Sequence, residues 1–180
     1  MSASLPASVD AERMVAGRRS FQGVLPVAEL PRLVEALAED SGEIVYDLDF
    51  EQGELGDPEL HLRLAARLML ECQRTLQPFE WPVVVDSRLG LLAREEDAAA
   101  LPERCEPLLL EHGTLQPRKV IEDELLLALP LVPVKPGSEI LQGEWNTPGE
   151  EQPQDADGGE AATHPFADLR KLLEDREKHR

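Results

Sequence analysis

Apolar and polar residues alternate along several stretches of the chain, and this period of two is typical of strands with one buried face. The clearest case runs from 44 to 50, where Ile, Tyr, Leu and Phe occupy every second position. The same pattern predicts strands over 18–24, 60–72 and 79–85, and a further short strand over 107–111. The polar residues between 72 and 79 predict a hairpin turn.

Two features of this hairpin indicate irregular pairing. The first strand is long, and Ala65-Ala66 in its middle is a plausible site for a bulge or bend. Pro82 lies in the returning strand, and proline cannot donate to a sheet ladder. We therefore expect Pro82 to lie at an edge or a bulge.

Apolar residues at helical spacing predict helices elsewhere. The stretches are 9–15, 27–37 and 117–129, the last opened by Pro117 and led by three consecutive acids. Proline suits the first helical turn because its missing N–H would have no partner there. The predicted fold is α+β, with a mainly antiparallel, curved or barrel-like sheet, two or three helices, and an acidic disordered C-terminal segment.

The composition changes at Gly137. Residues 139–160 contain seven acids and no Lys or Arg, together with several Pro and Gly. Such a segment buries too little apolar surface to offset its chain entropy. We expect an α+β domain over 1–136, a disordered acidic linker over 137–163 and a short amphipathic helix over 164–180.

The balance of acidic and basic residues limits the classes of function that the chain can have. The chain carries 36 acidic against 18 basic residues, a net charge of −18. Such a surface repels phosphate at long range, which argues against a general DNA-coating role but leaves room for a local basic patch. Two cysteines do not form a disulfide scaffold, and we find no signal peptide and no apolar run long enough to span a membrane. These features predict a cytoplasmic protein with free thiols.

Cys72 lies at the hairpin turn like the first half of a Cys-x-x-Cys metal knuckle, but Thr75 occupies the second position. A structural zinc site needs four ligands. Convergence with Cys105, His61 and His112 would require long-range coincidences. We therefore expect no metal and no cofactor, and interpret Cys72 as a lone, partly buried thiol at the end of a strand.

No nucleotide-binding loop or catalytic signature is present, so we expect no enzyme activity. Glu122, Asp123 and Glu124 are consecutive on a predicted helix and would point in different directions, which argues against a shared Mg²⁺ in a hydrolase or ribonuclease. They are instead candidates for partner binding. The candidate RNA-binding residues are the basic pairs Arg18, Arg19, Arg118 and Lys119.

Three stretches together resemble the YceD family, the bacterial and plastid large ribosomal RNA accumulation proteins. They are LECQRTLQPFEWPV, LPERCEPLLLEHGTLQPRKVIEDELLLALPLVPVK and HPFADLRKLLE. Many family members carry Cys-x-x-Cys at the hairpin. This chain has the hairpin, but Thr75 occupies the position of the second cysteine, so the metal-binding motif is incomplete. The resemblance implies a factor that supports the synthesis, processing or stability of 23S rRNA, and it implies no catalytic residues.

Two routes to that role stay open. The protein could contact 23S rRNA or its precursor through the basic pairs. Alternatively, its acidic surface could hold a basic ribosomal protein or an rRNA-processing enzyme during assembly of the large ribosomal subunit. Co-purification that survives ribonuclease would separate the second route from the first.

Overall fold

The structure is a computed structural model that describes residues 5–53 and 56–138. Its centre is a five-stranded sheet in the order β2-β3-β4-β5-β6. A second, two-stranded sheet pairs β1 with β7. The strands are β1 Val9–Asp10, β2 Ser20–Pro26, β3 Glu43–Gln52, β4 Pro58–Glu71, β5 Pro78–Leu92, β6 Glu106–Leu109 and β7 Thr114–Leu115.

The large sheet is open, so the barrel-like alternative in the sequence prediction is wrong. Strands β2 to β5 pair antiparallel in chain order, as predicted. Strand β6 then joins β5 in parallel over only four residues. Among the described strands, β2 and β6 are the two ends of the sheet and do not pair with each other, which leaves the ladder unclosed.

Three α-helices are present in the described residues: α1 Ala11–Ala16, α2 Pro31–Glu35 and α3 Pro117–Ala128. The helix predicted over 27–37 is divided into a 3₁₀ turn, Val27–Glu29, and α2. The division falls at Leu30, whose φ and ψ are −115° and 86°. A residue that precedes proline is disfavoured in the α conformation, and Pro31 follows here.

All three α-helices lie on one face of the sheet, which we call the inner face. Its side chains form the core, with Ile44, Leu48, Leu62 and Leu68 fully buried. Helix α1 packs on β3 and β4, and α3 packs on β5. The opposite face, called the open face, carries the alternate residues of the same strands. The fold is therefore α+β with two layers.

Strand β4 is continuous through Ala65-Ala66, and the expected bulge is absent from it. Ala65 lies opposite Val45 and Val84 in an unbroken register. A small residue on the open face of a strand costs little, so it requires no bulge. Pro82 pairs with Arg67 on one side, and β6 reaches β5 only at Leu89–Leu92. Pro82 thus lies where β5 is locally an edge, as expected.

The predicted linker and C-terminal helix lie outside the described residues, apart from positions 137 and 138. The domain boundaries at 137 and 164 therefore stay predictions. No helix in the described part of the chain is both long enough and apolar enough to cross a membrane.

Candidate functional site

Arg18 and Arg19 lie in the tight connection between α1 and β2. Arg18 has a left-handed φ of 44°, and its N–H donates to the Val15 carbonyl at 3.0 Å. Arg19 donates to Met14 and accepts from Phe50, so the backbone fixes both residues while their side chains stay exposed. The connection therefore presents two arginines from a well-determined loop.

A cleft of about 590 Å³ lies beside this connection and is lined by Arg13 and Arg19 together with apolar residues. Arg13 was missed by sequence reasoning. It lies in the last turn of α1, and only the helix register brings it next to Arg19. The basic group at this end of the molecule therefore has three members: Arg13, Arg18 and Arg19.

Arg118 and Lys119 lie in the first turn of α3, on a different element from the first pair. Arg118 is engaged, because its guanidinium pairs with Glu29 at 2.5 Å. Lys119 is exposed and lines a cleft of about 540 Å³ between α3 and the β6–β7 region, with His112 and Asp123 also in the lining. Only Lys119 of this pair presents its charge without an internal ion pair in the described structure.

Glu122 is buried at 6% exposure and belongs to the packing of the helices. Its Oε1 accepts the backbone N–H groups of Arg32 at 2.7 Å and Leu33 at 3.1 Å. These are orphan donors at the start of α2, whose N-cap residue Leu30 supplies no side-chain bond. Glu122 thus caps α2 from another helix, and this carboxylate is not available to a partner.

The other two acids of α3 point elsewhere, as the spacing predicted. Asp123 forms an ion pair with Arg32 at the surface. Glu124 accepts a hydrogen bond from Ser87 at 2.8 Å, and burial raises the pKa of Glu124. No group of three or more potential metal-ligating side chains comes together within the described residues. Partner binding by Asp123 and Glu124 stays a prediction.

Cys72 is fully buried at the end of β4, and its Sγ accepts several hydrogen bonds. The Lys135 N–H approaches it at 3.3 Å, and Thr75 also hydrogen-bonds to it. These bonds, led by that from Lys135, lower the pKa of Cys72 to about 6. Thr75 therefore hydrogen-bonds the sulfur from the position where the family's second cysteine would stand.

This arrangement fastens the chain after α3 to the hairpin. Gln73 donates to the Pro133 carbonyl at 2.9 Å, next to the bond between Lys135 and the sulfur. His61, one of the groups that could have joined Cys72 around a metal, pairs instead with Asp86 at 2.7 Å. Cys105 is buried, and this burial raises the pKa of its thiol.

Glu59 is a second buried carboxylate that sequence reasoning missed. It is 1% exposed, and its Oε1 accepts from Arg104 at 3.1 Å. Its Oε2 lies 3.8 Å from Arg88, beyond hydrogen-bond range. Gly53 leaves room for it, since a Cβ there would come within 1.9 Å of Oε1. The strand register places Glu59 on the open face, whereas the sequence pattern puts it in the turn before the predicted strand and gives no signal that Arg104 covers it.

The open face of the sheet carries paired charges. Arg63 lies between Asp47 and Asp49, at 2.7 Å from each. His61 hydrogen-bonds Asp86 and thereby lowers the pKa of that carboxyl. The sequence pattern identified these side chains as the polar side of each strand, but only the strand register shows which of them pair.

The comparisons with known proteins agree with the family resemblance. The family model described as large ribosomal RNA subunit accumulation protein YceD matches residues 60–173. The protein of that name from Haemophilus influenzae is 30% identical over 135 residues, which cover 72% of this chain and 75% of the relative. No solved structure matches the chain. The family match includes the β4–β5 hairpin and α3, whereas Arg18 and Arg19 precede it.

Proposed function

Because the chain belongs to the YceD family of large ribosomal RNA subunit accumulation proteins, we propose that it supports the synthesis, processing or stability of 23S rRNA without catalysing a reaction. The observation that carries this proposal is the family match over 60–173, which spans the β4–β5 hairpin and α3. A non-catalytic role is supported by the family description, which names an accumulation protein and no enzyme.

The route that the charges favour is contact with a basic protein of the assembling large subunit. The net charge of −18 attracts a basic client, and Arg118 is already paired with Glu29. Direct contact with 23S rRNA through Arg18 and Arg19 is the second candidate, favoured by their exposure on a fixed loop. Both routes place the protein in the cytoplasm, where bacterial ribosomes are assembled.

The role itself is tested by deleting the gene in a bacterial host and measuring the ratio of mature 23S to 16S rRNA. We expect the ratio to fall and to recover when the full chain is supplied from a plasmid. An unchanged ratio in the deletion strain, under conditions where the protein is normally expressed, would overturn the proposal.

The two routes are separated by replacing the arginines. Arg18→Ala with Arg19→Ala removes two exposed charges, and Arg74→Ala with Lys135→Ala is a control of equal charge change. On the protein route both double variants restore the 23S to 16S ratio. On the RNA route only the control restores it.

A further inference from the structure

A row of apolar side chains crosses the open face of the sheet. Its members are aligned by the strand register: Val24 lies opposite Val45, Val45 opposite Ala65, and Ala65 opposite Val84. Adjacent strands are about 4.8 Å apart, so the row is roughly 14 Å long. Directly opposite side chains are in contact across a ladder. The four residues therefore form one continuous apolar strip.

The side chains of this strip are largely exposed, because no other part of the described fold packs on them. Val24 is 52% exposed, Val45 55% and Val84 80%, and Ala65 is also exposed. Single exposed apolar residues are ordinary, whereas contiguous ones mark interaction surfaces. The three α-helices pack on the inner face. The described segment after β5 covers the open face at its far end, where Leu101 lies over Gly90 and Arg104 over Glu59. The strip lies away from that end.

The surroundings of the strip are acidic. The neighbouring open-face positions hold six carboxylates on β3 and β5, and three arginines on β4 and β5. The carboxylates are Glu43, Asp47, Asp49, Glu51, Glu80 and Asp86. The arginines are Arg63, Arg67 and Arg88. Each of these arginines already pairs with one or two of the carboxylates. The face thus combines an apolar centre with a surplus of negative charge.

We propose that this strip and its acidic flanks are a docking surface for a lysine- and arginine-rich protein segment that also carries apolar side chains. The inference rests on the proposed function and identifies where its basic client would bind. Apolar side chains of the segment cover Val24, Val45, Ala65 and Val84, and its cations face the carboxylates on either side. Charge complementarity sets the partner, and the apolar strip supplies the contact area.

Charge also argues against two other occupants. A nucleic acid would bring phosphates to a face whose arginines are already neutralised by carboxylates. A second copy of this chain would oppose two acidic faces, each on a molecule with a net charge of −18. Both remain distinguishable outcomes of the experiment.

The experiment places a photo-cross-linking amino acid in the strip of the full chain. Val84→p-benzoylphenylalanine is expressed in cells, irradiated, treated with ribonuclease and analysed by mass spectrometry of the cross-linked peptides. We expect peptides with a surplus of Lys and Arg that contain apolar residues. Cross-links to RNA, to a second copy of the chain, or to segments without a basic surplus would overturn the proposal.

A matched site and a matched substitution control for chance contacts. Val132 is 65% exposed and lies beyond α3, so Val132→p-benzoylphenylalanine should not capture the same peptides. Val24→Thr with Val45→Thr keeps the branched shape and should lower the yield at position 84 about tenfold, because apolar contact is lost. Val132→Thr should leave it unchanged. Equal yields from the two sites, or a yield insensitive to the double change, would contradict the proposal.

The charged flank gives a second readout. Glu43 makes no ion pair in the described structure, so Glu43→Gln removes one charge and leaves the arginine pairs intact. We expect a decrease of about twofold in cross-linking, and Glu35→Gln on α2 should have no effect. A yield that rises in Glu43→Gln would overturn the choice of a basic partner.

Complementation of the deletion strain distinguishes failure of the docking proposal from failure of the proposed function. If the wild-type chain restores 23S rRNA and Val24→Thr with Val45→Thr restores it equally, the function stands and the docking surface falls. If deletion leaves 23S rRNA unchanged, the proposed function falls, and the cross-linking result still decides whether the strip binds a basic segment.

Discussion

The two faces of the five-stranded sheet are built from the same strands and differ in what covers them. On the inner face, residues such as Leu62 and Ile44 are fully buried under helices. On the open face, one position away along each strand, Arg63 and Val45 are exposed. The inner face therefore holds the packed core, whereas the part of the open face around Val45 is exposed to solvent.

Truncating one residue on each face should show the contrast between the two faces most clearly. Leu62→Ala should lower the free energy of unfolding by about 3 kcal/mol, because it removes buried methyl groups and leaves a cavity. Val84→Ala, at 80% exposure, should change it by less than about 0.5 kcal/mol. Urea denaturation of both variants measures the difference. Equal losses would show that the open face is also packed.

The helical layer provides the next test. Glu122→Ala should cost about 2 kcal/mol, because the Arg32 and Leu33 N–H groups lose their acceptor at the start of α2. Asp123→Ala removes only a surface ion pair and should cost less than about 1 kcal/mol. Thermal unfolding of the two neighbours provides an internal control. A larger loss for Asp123→Ala would show that Asp123, and not Glu122, has the structural role.

A smaller effect is expected where β2 crosses the inner face. A Cβ at Gly23 would lie 2.7 Å from Tyr46 Oη, so Gly23→Ala should cost about 1–2 kcal/mol. Tyr46→Phe removes that oxygen and should recover part of the loss in the double variant. A double-mutant cycle by urea denaturation measures the coupling. Strictly additive losses would show that the contact does not limit this position.

The last effect concerns the thiol at the hairpin and is confined to a window of pH. Hydrogen bonds lower the pKa of Cys72 to about 6, against about 8.5 for a free thiol. The unfolded chain therefore binds more protons between these values, and stability should rise with pH across that window. The contribution is complete above the unfolded pKa and is lost as pH falls through about 6.

Comparison of Cys72→Ser with Cys105→Ser checks this dependence. The difference in unfolding free energy between the wild type and Cys72→Ser should grow from the acidic to the alkaline end of the window. Cys105→Ser should leave the slope below about pH 8 unchanged, since burial raises the pKa of Cys105 and this thiol stays protonated there in both the folded and the unfolded chain. A slope that survives in Cys72→Ser would place the responsible group elsewhere.

Much of the fold could be predicted because its signals are local. Strict alternation in β3 and the Pro117 start of α3 both identified their elements correctly. Closure of the sheet could not be predicted, because it depends on where β6 pairs, and a four-residue strand has little pattern. The division at Leu30 could have been predicted from Pro31, whose effect on the preceding residue is local.

The candidate site was harder to predict, because its properties depend on contacts between distant residues. Glu122 looked like a surface acid, and only its contact with α2, about 90 residues away, shows that it is a cap. Likewise, Val24 and Val84 lie far apart in the sequence and become neighbours in one strip only through the register of four strands. The basic pairs could be recognised in the sequence, but the ion pair between Arg118 and Glu29 could not.

Co-purification of the tagged full chain, with and without ribonuclease, decides between a protein partner and an RNA partner. We expect a basic protein of the large subunit, or an rRNA-processing enzyme, to stay bound after the RNA is digested. The double variant Val24→Thr with Val45→Thr should release that protein. A chain whose partners all disappear with ribonuclease, and which cross-links under ultraviolet light to a discrete site on 23S rRNA, would contradict this expectation.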